Sequence, residues 1–467
     1  MTFTTDELDA LDLAVEGPVL RRGDSGLAAE AAGQNTTVVH DPDVLVGALT
    51  EADVQAAVRF AAAHGLAVHV LATGHGVFAP VTGGMLVTTR RLDTLEIDAE
   101  DRVARIGAGN RWGAVIEAAA VHGLAPVTGA SGHVGAIGYT LGGGLGPLAR
   151  SHGYSSDYAR TFRLVTATGE AITVHAGEDG HPELFWALRG GKGGFGVVTS
   201  MDFELVPLTT FYGGSLFFDA EHIPAVLRAW ARFTDTAPEE ATSSVSLLRF
   251  PPLPVVPEAL RGKTVVSLRY VHVGEPEEAE RVFAPLRAVA PAVFGRVGEM
   301  PAAQIGLVHN DPVDPGPAWD RGMMLDLIDD DLIEAFLDVL GPEREVPIVA
   351  AELRHLGGAT LRDVPGGSAV GGRSAAGTLV LIGVPDPALF DGVLPAVADG
   401  ITARLAPWVS TSNTINFAGD LSVPGSFESC WTPEVLERLA GVRAEWDPAG
   451  MFPYPVVGRV SAGAGSR

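Results

Sequence analysis

The segment Val127–Gly146, VTGASGHVGAIGYTLGGGLG, restricts this chain more than any other part of it, because eight of its twenty residues are glycine. In the interior of a helix or strand each glycine costs roughly 0.5–1 kcal/mol relative to alanine, so a run this dense forms neither element by propensity. Two arrangements offset that cost. Either bare backbone lies against a large planar or extended ligand, or helices and strands approach each other more closely than a Cβ permits. The segment holds no Lys or Arg, the next being Arg150, so an anion bound there would rest on backbone N–H groups.

A chain of 467 residues exceeds one ordinary core and leads to two or three compact units. Its 57 acidic and 32 basic residues leave a net charge of −25, which repels phosphate backbones and anionic membrane surfaces. The lone cysteine, Cys430, has no partner for an intramolecular disulfide. No Cys/His cluster has the spacing of a structural zinc site, so no metal is expected and a reducing cytoplasm fits. The first residues, MTFTTDELDALDLAVEG, lack the basic start and apolar run of a signal peptide, and no stretch of about 18 uncharged apolar residues follows. The expectation is a cytoplasmic monomer or homodimer with neither nucleic acid nor membrane as partner.

Apolar residues at Val54, Ala57, Val58 and Ala61 predict a helix from Glu51 to His64, with Gly65 as its cap. AVHVLA then reads as a strand running into the loop Thr73-Gly74-His75-Gly76, and MLVTT and RVARIGAG as further strands. A helix is expected from Trp112 to His122, and FRLVTA and AITVHA form a hairpin about Thr168-Gly169-Glu170. PELFWALR is helical, leads into GGKGGFG and is followed by the strand VVTSMDFEL. After about Pro207, strand-like runs (GGSLFFD, SSVSLLRF, TVVSLRYVHV, MMLDLI, VAAELRHL, TLVLIGV) alternate with helices such as AVLRAWARF and EEAERVFAPLRAV. That texture predicts a second, α+β domain on an antiparallel sheet. PEVLERLAGVRAEWDP is a closing helix that packs back on the first domain.

GGKGGFG fits the expression of a dinucleotide fingerprint through Gly191, Gly193 and Gly196, but it follows a helix and opens a strand, the reverse of what that fingerprint needs. Gly193 after Lys192 also excludes a phosphate-binding Walker loop. In LATGHG, small residues flank His75 and let backbone approach a ligand, while Thr73 adds a hydroxyl. On these residues alone, His75 is either a hydrogen-bonded structural histidine or a reactive one.

LATGHG, RVARIGAGNRWGAVIEAAAVHGLAPVTG, VGAIGYTLGGGLGPLARSHGYSSD and HPELFWALRGGKGGFGVVTSMDFELVPL occur in this order over roughly residues 37 to 208. Together they resemble the FAD-binding domain of the berberine-bridge and hydroxynicotine oxidase family, within the vanillyl-alcohol oxidase (PCMH-type) superfamily. AELRHLGGA, TINFAGD and EWDPAGMF are weaker echoes. The resemblance implies an α+β, two-lobed fold. A PCMH-type FAD-binding domain would take residues 1–208 and 405–467, and an α+β substrate domain built on an antiparallel sheet residues 209–404. It implies FAD as cofactor, joined covalently through His75, whose neutral imidazole is a competent nucleophile toward an electrophilic flavin. Ala72, Thr73, Gly74, Gly76, Thr128, Gly129, Ser131, Gly132, His133, Gly135, Ala136, Gly138, Tyr139, Gly196, Val198 and Tyr454 would contact the cofactor. Doubly linked members carry Cys where this chain has Ser131, so a single link is expected. Two other departures are Leu71-Ala72-Thr73, which lacks the usual arginine near the pyrophosphate, and Pro453-Tyr454-Pro455-Val456-Val457, which replaces the closing asparagines.

On the substrate side, alternation along VAAELRHL puts Glu352 and Arg354 on one strand face and His355 on the other. Glu352 is a candidate general base or one half of an ion pair, Asn416 a candidate orienter, and Tyr139 and Tyr270 candidate phenols. The resemblance implies an oxidase that removes hydride from a small alcohol, amine or phenolic substrate and returns electrons to O2. The alternatives are a dehydrogenase with another acceptor and a flavin-bearing scaffold without turnover. The bias toward Ala, Gly and Pro suggests a bacterial source.

Overall fold

The structure, a computed structural model, describes residues 3–455, so Val456 and Val457 of the divergent C-terminal segment lie outside it. Its first sheet joins β1 (Val19–Arg21), β2 (Val44–Gly47), β3 (Val68–Leu71) and β4 (Met85–Thr88) in the order β1-β2-β4-β3. β4 runs parallel to both β2 and β3, and β1 closes one edge antiparallel. β2 and β4 are buried along their whole length, as continuous apolar runs in a parallel sheet require. The helix Glu51–His64 buries the expected face, Val54, Ala57, Val58 and Ala61. It starts in a Thr50/Asp53 capping box, and the Asp53 carboxylate also accepts from the N–H groups of Glu16 (2.9 Å) and Leu49 (2.8 Å). Gly65, at φ 62°, ends it in the left-handed conformation.

A second sheet is antiparallel, with β5 (Leu95–Asp98), β6 (Val103–Gly107), β8 (Ala159–Val165), β9 (Ala171–His175) and β10 (Val197–Glu204) in the order β5-β6-β10-β8-β9. β8 and β9 form the expected hairpin. β7 (Leu124–Ala125), between β6 and β8 in sequence, pairs instead with β11 (Val206–Pro207). Trp112 opens the next helix as expected, but that helix ends at Ala120.

The third sheet has seven antiparallel strands: β12 (Thr210–Asp219), β13 (Ala241–Arg249), β14 (Thr264–His272), β15 (Phe294–Pro301), β16 (Asp320–Leu325), β17 (Ile348–His355) and β18 (Gly377–Gly383), in the order β15-β12-β14-β13-β17-β18-β16. β17 is thus interior, between β13 and β18. The run MMLDLI contributes only its first half, since β16 stops at Leu325. Period-two alternation sorts the sheet into two faces. Val245, Leu247, Leu268, Tyr270, Ala351, Leu353, Leu379 and Leu381 pack under the helices Ile223–Thr234, Asp330–Leu340 and Val393–Leu405 through Leu227, Trp230, Leu332, Phe336, Leu394 and Ile401. The opposite face presents Ser244, Ser246, Ser267, Arg269, Glu352 and Arg354, all but Arg354 nearly sealed from solvent.

The glycine-dense segment covers part of that polar face. Leu145, Ala149 and Tyr154 pack with Met324, Leu356, Ala375 and Phe417 in one apolar cluster, which ties the first two sheets to the third. Arg354 lies over the Phe417 ring at 4.9 Å.

Candidate active site

The loop after β3 demands glycine at its centre. Gly74 has φ +72°, and a Cβ there would meet the Cα of Gly33 at 2.7 Å. This tight passage holds His75 half-buried, with Nδ1 2.9 Å from the Thr73 hydroxyl. Burial first, then Arg111 and His133, lower the His75 imidazole to about 4, so it is neutral near pH 7. In the tautomer whose Nδ1–H donates to Thr73, Nε2 keeps its lone pair, the arrangement a nucleophile needs. Across the cleft, a Cβ on Gly135 would come within 3.4 Å of the Thr73 hydroxyl, so the two loops expected to hold a cofactor face each other.

Beside them opens a cavity of about 250 Å³, lined from three directions: β3 and its loop (Val68 to Val70, Ala72, Gly76 to Ala79), the short helix Ala136–Thr140 and its C-cap (Ile137, Gly138, Leu141), and GGKGGFG with the C-terminal segment (Lys192 to Gly196, Val198, Asp420 to Ser422, Phe452 to Pro455). Of the residues expected around a cofactor, Ala72, Gly76, Gly138, Gly196, Val198 and Tyr454 line it. A Cβ added at Gly76 or Gly138 would meet nothing within 4 Å, so both present bare backbone to open space. Bare backbone at these two positions, with the Thr73 hydroxyl beside the cavity, is the kind of donor set that suits the phosphate oxygens of an extended nucleotide. Thr73, Gly74 and His75 lie between the lining residues Ala72 and Gly76, with Gly135 against Thr73 and His133 close enough to act on the His75 imidazole; neither these residues nor Ser131 and Gly132 line the cavity itself.

The remaining glycines of the dense segment are spent on packing. A Cβ on Gly146 would lie 1.8 Å from the Thr128 carbonyl, one on Gly142 2.2 Å from Asn416, and one on Gly129 2.9 Å from the Tyr139 hydroxyl. Both explanations of the glycine density therefore hold, at different positions. Tyr139 is enclosed between Gly129 and Gly144, edge-on to Trp112 at 6.1 Å. Burial raises its phenol, whose buried oxygen has no hydrogen-bond partner, so it is a neutral donor awaiting an acceptor.

Lys192 was passed over in the sequence as part of a turn. The structure buries its side chain in the cavity wall, where Nζ donates to Gly138 O and to Asn416 Oδ1, both at 2.7 Å. Burial lowers its ammonium to about 8, and no carboxylate lies within ion-pair distance among the described residues. Lys192 supplies the basic residue that is missing from the loops around His75. Asn416 donates from Nδ2 to Tyr139 O at 2.8 Å, so its amide braces Lys192 and the glycine segment and keeps a second N–H beyond these two bonds. Tyr270 is a core residue, its hydroxyl donating to Ala279 O beneath the helices, not a site phenol.

On the polar face of the seven-stranded sheet, Glu352 is surrounded. Oε1 accepts from Ser244 at 2.7 Å and lies 2.7 Å from Arg269 Nη1 and 3.2 Å from His309 Nε2, while Oε2 accepts from Arg354 Nη2 at 2.8 Å. Burial would raise this carboxyl, but Arg354, Arg269 and His309 outweigh it and hold it well below the usual range. A carboxylate so occupied is a weak proton acceptor, which weighs against the base expected of it; the ion pair with Arg354 is real but buried. His309 is the neighbour that sequence reading missed, since it sits in no strand pattern. Burial chiefly, opposed by Glu352, lowers its pKa, so the ring is neutral, and no hydrogen bond satisfies either nitrogen.

A family model described as an FAD binding domain matches residues 42–175. (R)-6-hydroxynicotine oxidase of Paenarthrobacter nicotinovorans is 37% identical over 201 residues, 43% of this chain and 43% of that protein. Matches to the first curated relatives span less than half of their length. Over the whole chain, the crystal structure of 6-hydroxy-D-nicotine oxidase from Arthrobacter nicotinovorans superposes with a TM-score of 0.81 at 26% identity, covering 94% of this chain and 97% of that one. The berberine-bridge-enzyme-like protein 1 of Physcomitrella patens, 17% identical, shares the fold with a TM-score of 0.82 over 96% and 98% of the two chains.

Proposed function

We propose, from the chain's similarity to an FAD binding domain and to 6-hydroxynicotine oxidases, that it is an oxidase of the berberine-bridge and hydroxynicotine oxidase family carrying FAD on His75 by a single covalent bond. Its substrate is a small alcohol, amine or phenolic compound, and O2 is the final acceptor. The observation that carries this reading is His75 itself: a neutral imidazole, oriented by Thr73, at the edge of a glycine-lined cavity. Ser131 occupies the place of a second attachment and has no thiol. Bound FAD supplies a two-electron acceptor for hydride.

The protein's own groups handle the proton. His309 Nδ1 accepts it from the substrate hydroxyl or amine as the C–H bond beside it breaks, and the carboxylate of Glu352, 3.2 Å from Nε2, offsets the imidazolium that forms. Glu352 acts here as a counter-charge and touches neither substrate nor cofactor in this role. The buried Tyr139 phenol and the Lys192 ammonium are the donors available to the cofactor's polar edge and phosphates. Substrate that bleaches the yellow protein without oxygen, with colour returning in air, supports an oxidase. Bleaching that air does not reverse assigns the chain to the dehydrogenases, and a flavin that no substrate bleaches leaves a scaffold.

A further inference from the structure

The polar face of β17 holds more positive charge than its carboxylate neutralises. Glu352 is the acidic side chain in contact with this cluster, and it faces two arginines, Arg269 and Arg354, whose side chains are only 8% and 15% exposed. A third arginine, Arg150, stands behind them: Nη1 lies 2.9 Å from His355 Nε2 and donates to Leu356 O, while Nε donates to Ala241 O and Nη2 to Ala237 O. Nearby acids do not restore the balance. Glu239, which acts on Arg150, is paired with Arg362, and Asp311, which acts on Arg354, is exposed and makes no ion pair among the described residues. In a chain of net charge −25, such a buried local excess of cations is an inversion that folding alone does not require.

The donors also point somewhere. Arg269 Nε, Arg354 Nε and both His309 nitrogens are buried without a hydrogen-bond partner. Arg269, Arg354 and His309 line, with Ser244 and His355, a cavity of about 20 Å³, space for one small polar group. Two guanidinium charges less one carboxylate leave one positive charge, and planar guanidinium forks match a carboxylate's two oxygens.

We infer that this cluster is an anion seat and that the substrate carries a carboxylate, received by Arg269 and Arg354. The inference rests on the oxidase reading above and narrows it. The net charge matches a monoanion better than a phosphate ester, whose second charge and third oxygen find no further partner.

The test uses the full FAD-loaded chain, titrated with acetate, benzoate and phenylacetate, with their amides and with phenyl phosphate, following perturbation of the flavin absorbance. The acids are expected to bind about 30-fold or more tightly than the amides. Arg269→Met, which leaves Arg354 and Glu352 as a neutral pair, abolishes that preference, and Glu352→Gln, which adds one net positive charge, strengthens it. Should Arg269→Met not fold, the acid-to-amide ratio of the native protein and the Glu352→Gln arm decide alone. Equal binding of acid and amide, no perturbation by any acid, or tighter binding of the phosphate ester overturns the proposal while leaving a yellow, air-reoxidised protein, and so the oxidase reading, intact. A protein that carries no flavin refutes that reading instead.

Discussion

Replacing Glu352 by glutamine keeps the side-chain volume and the Ser244 hydrogen bond but removes the counter-charge of two buried arginines. The carboxylate is 9% exposed and lies 2.7 Å from Arg269 and 2.8 Å from Arg354, so the variant strands both guanidinium groups in a region water barely reaches. Breaking a buried pair in this way costs about 3–5 kcal/mol. At roughly 2–4 °C per kcal/mol for a unit of about 200 residues, the unfolding of the part built on the seven-stranded sheet should move down by roughly 6–20 °C. Differential scanning calorimetry of the flavin-loaded protein reads that shift, and Glu352→Gln/Arg354→Met, which removes both halves of one pair, should recover part of it. The pH dependence has a definite sign. Because the folded pKa of Glu352 is lowered, its stabilisation is fully present above the unfolded value of about 4.3 and is lost as pH falls through the folded value. The gap between native and variant protein should therefore be constant near neutrality and narrow only below about pH 4.3. A Glu352→Gln protein that unfolds with the native one at pH 7 would refute the claim that this carboxylate neutralises the arginines.

Two further outcomes follow from the site geometry. His309→Gln should slow anaerobic flavin reduction by roughly 10²–10⁴-fold in stopped-flow measurements, with flavin attachment unchanged; reduction at the native rate would return the proton transfer to Glu352 or to solvent. Gly76→Ala should unfold at the native temperature yet hold less flavin, since its Cβ enters open space beside the cavity, whereas Gly146→Ala should fail to accumulate as folded protein because its Cβ meets the Thr128 carbonyl at 1.8 Å. Equal flavin content in Gly76→Ala and native protein would remove the cofactor from that part of the cavity.

The elements legible in the sequence are those whose pattern is local. The helix Glu51–His64 carried its apolar spacing, its cap residues and its terminal glycine in one stretch, and the hairpin of β8 and β9 carried its own turn. β15 was not legible, because its Phe294, Gly295 and Arg296 are exposed and carry no alternation. The site divides in the same way. His75 stood out through its flanking glycines, and Glu352 through its place in a strand. What surrounds them did not, because it comes from distant segments: Lys192 reaches Asn416 across 224 positions, and His309 meets Glu352 from the turn after the 3-10 helix Ala302–Val308. A lysine in a glycine loop reads as solvated until tertiary structure buries it, and a lone histidine in a loop has no periodicity to mark it. The role of Glu352 changed for the same reason, since its basicity depends on Arg269, two strands away in the sheet, and on His309 from a distant turn as well as on Arg354 of its own strand.

The central claim is that His75 carries the flavin. Native protein precipitated with acid should keep its yellow colour in the pellet, and its intact mass should exceed that of the chain by one FAD. His75→Ala should release all colour to the supernatant, because Ser131 offers no second attachment, although the folded variant can still bind FAD through its glycine loops. A yellow pellet from His75→Ala would put the bond elsewhere, and a white pellet from the native protein would contradict covalent attachment outright.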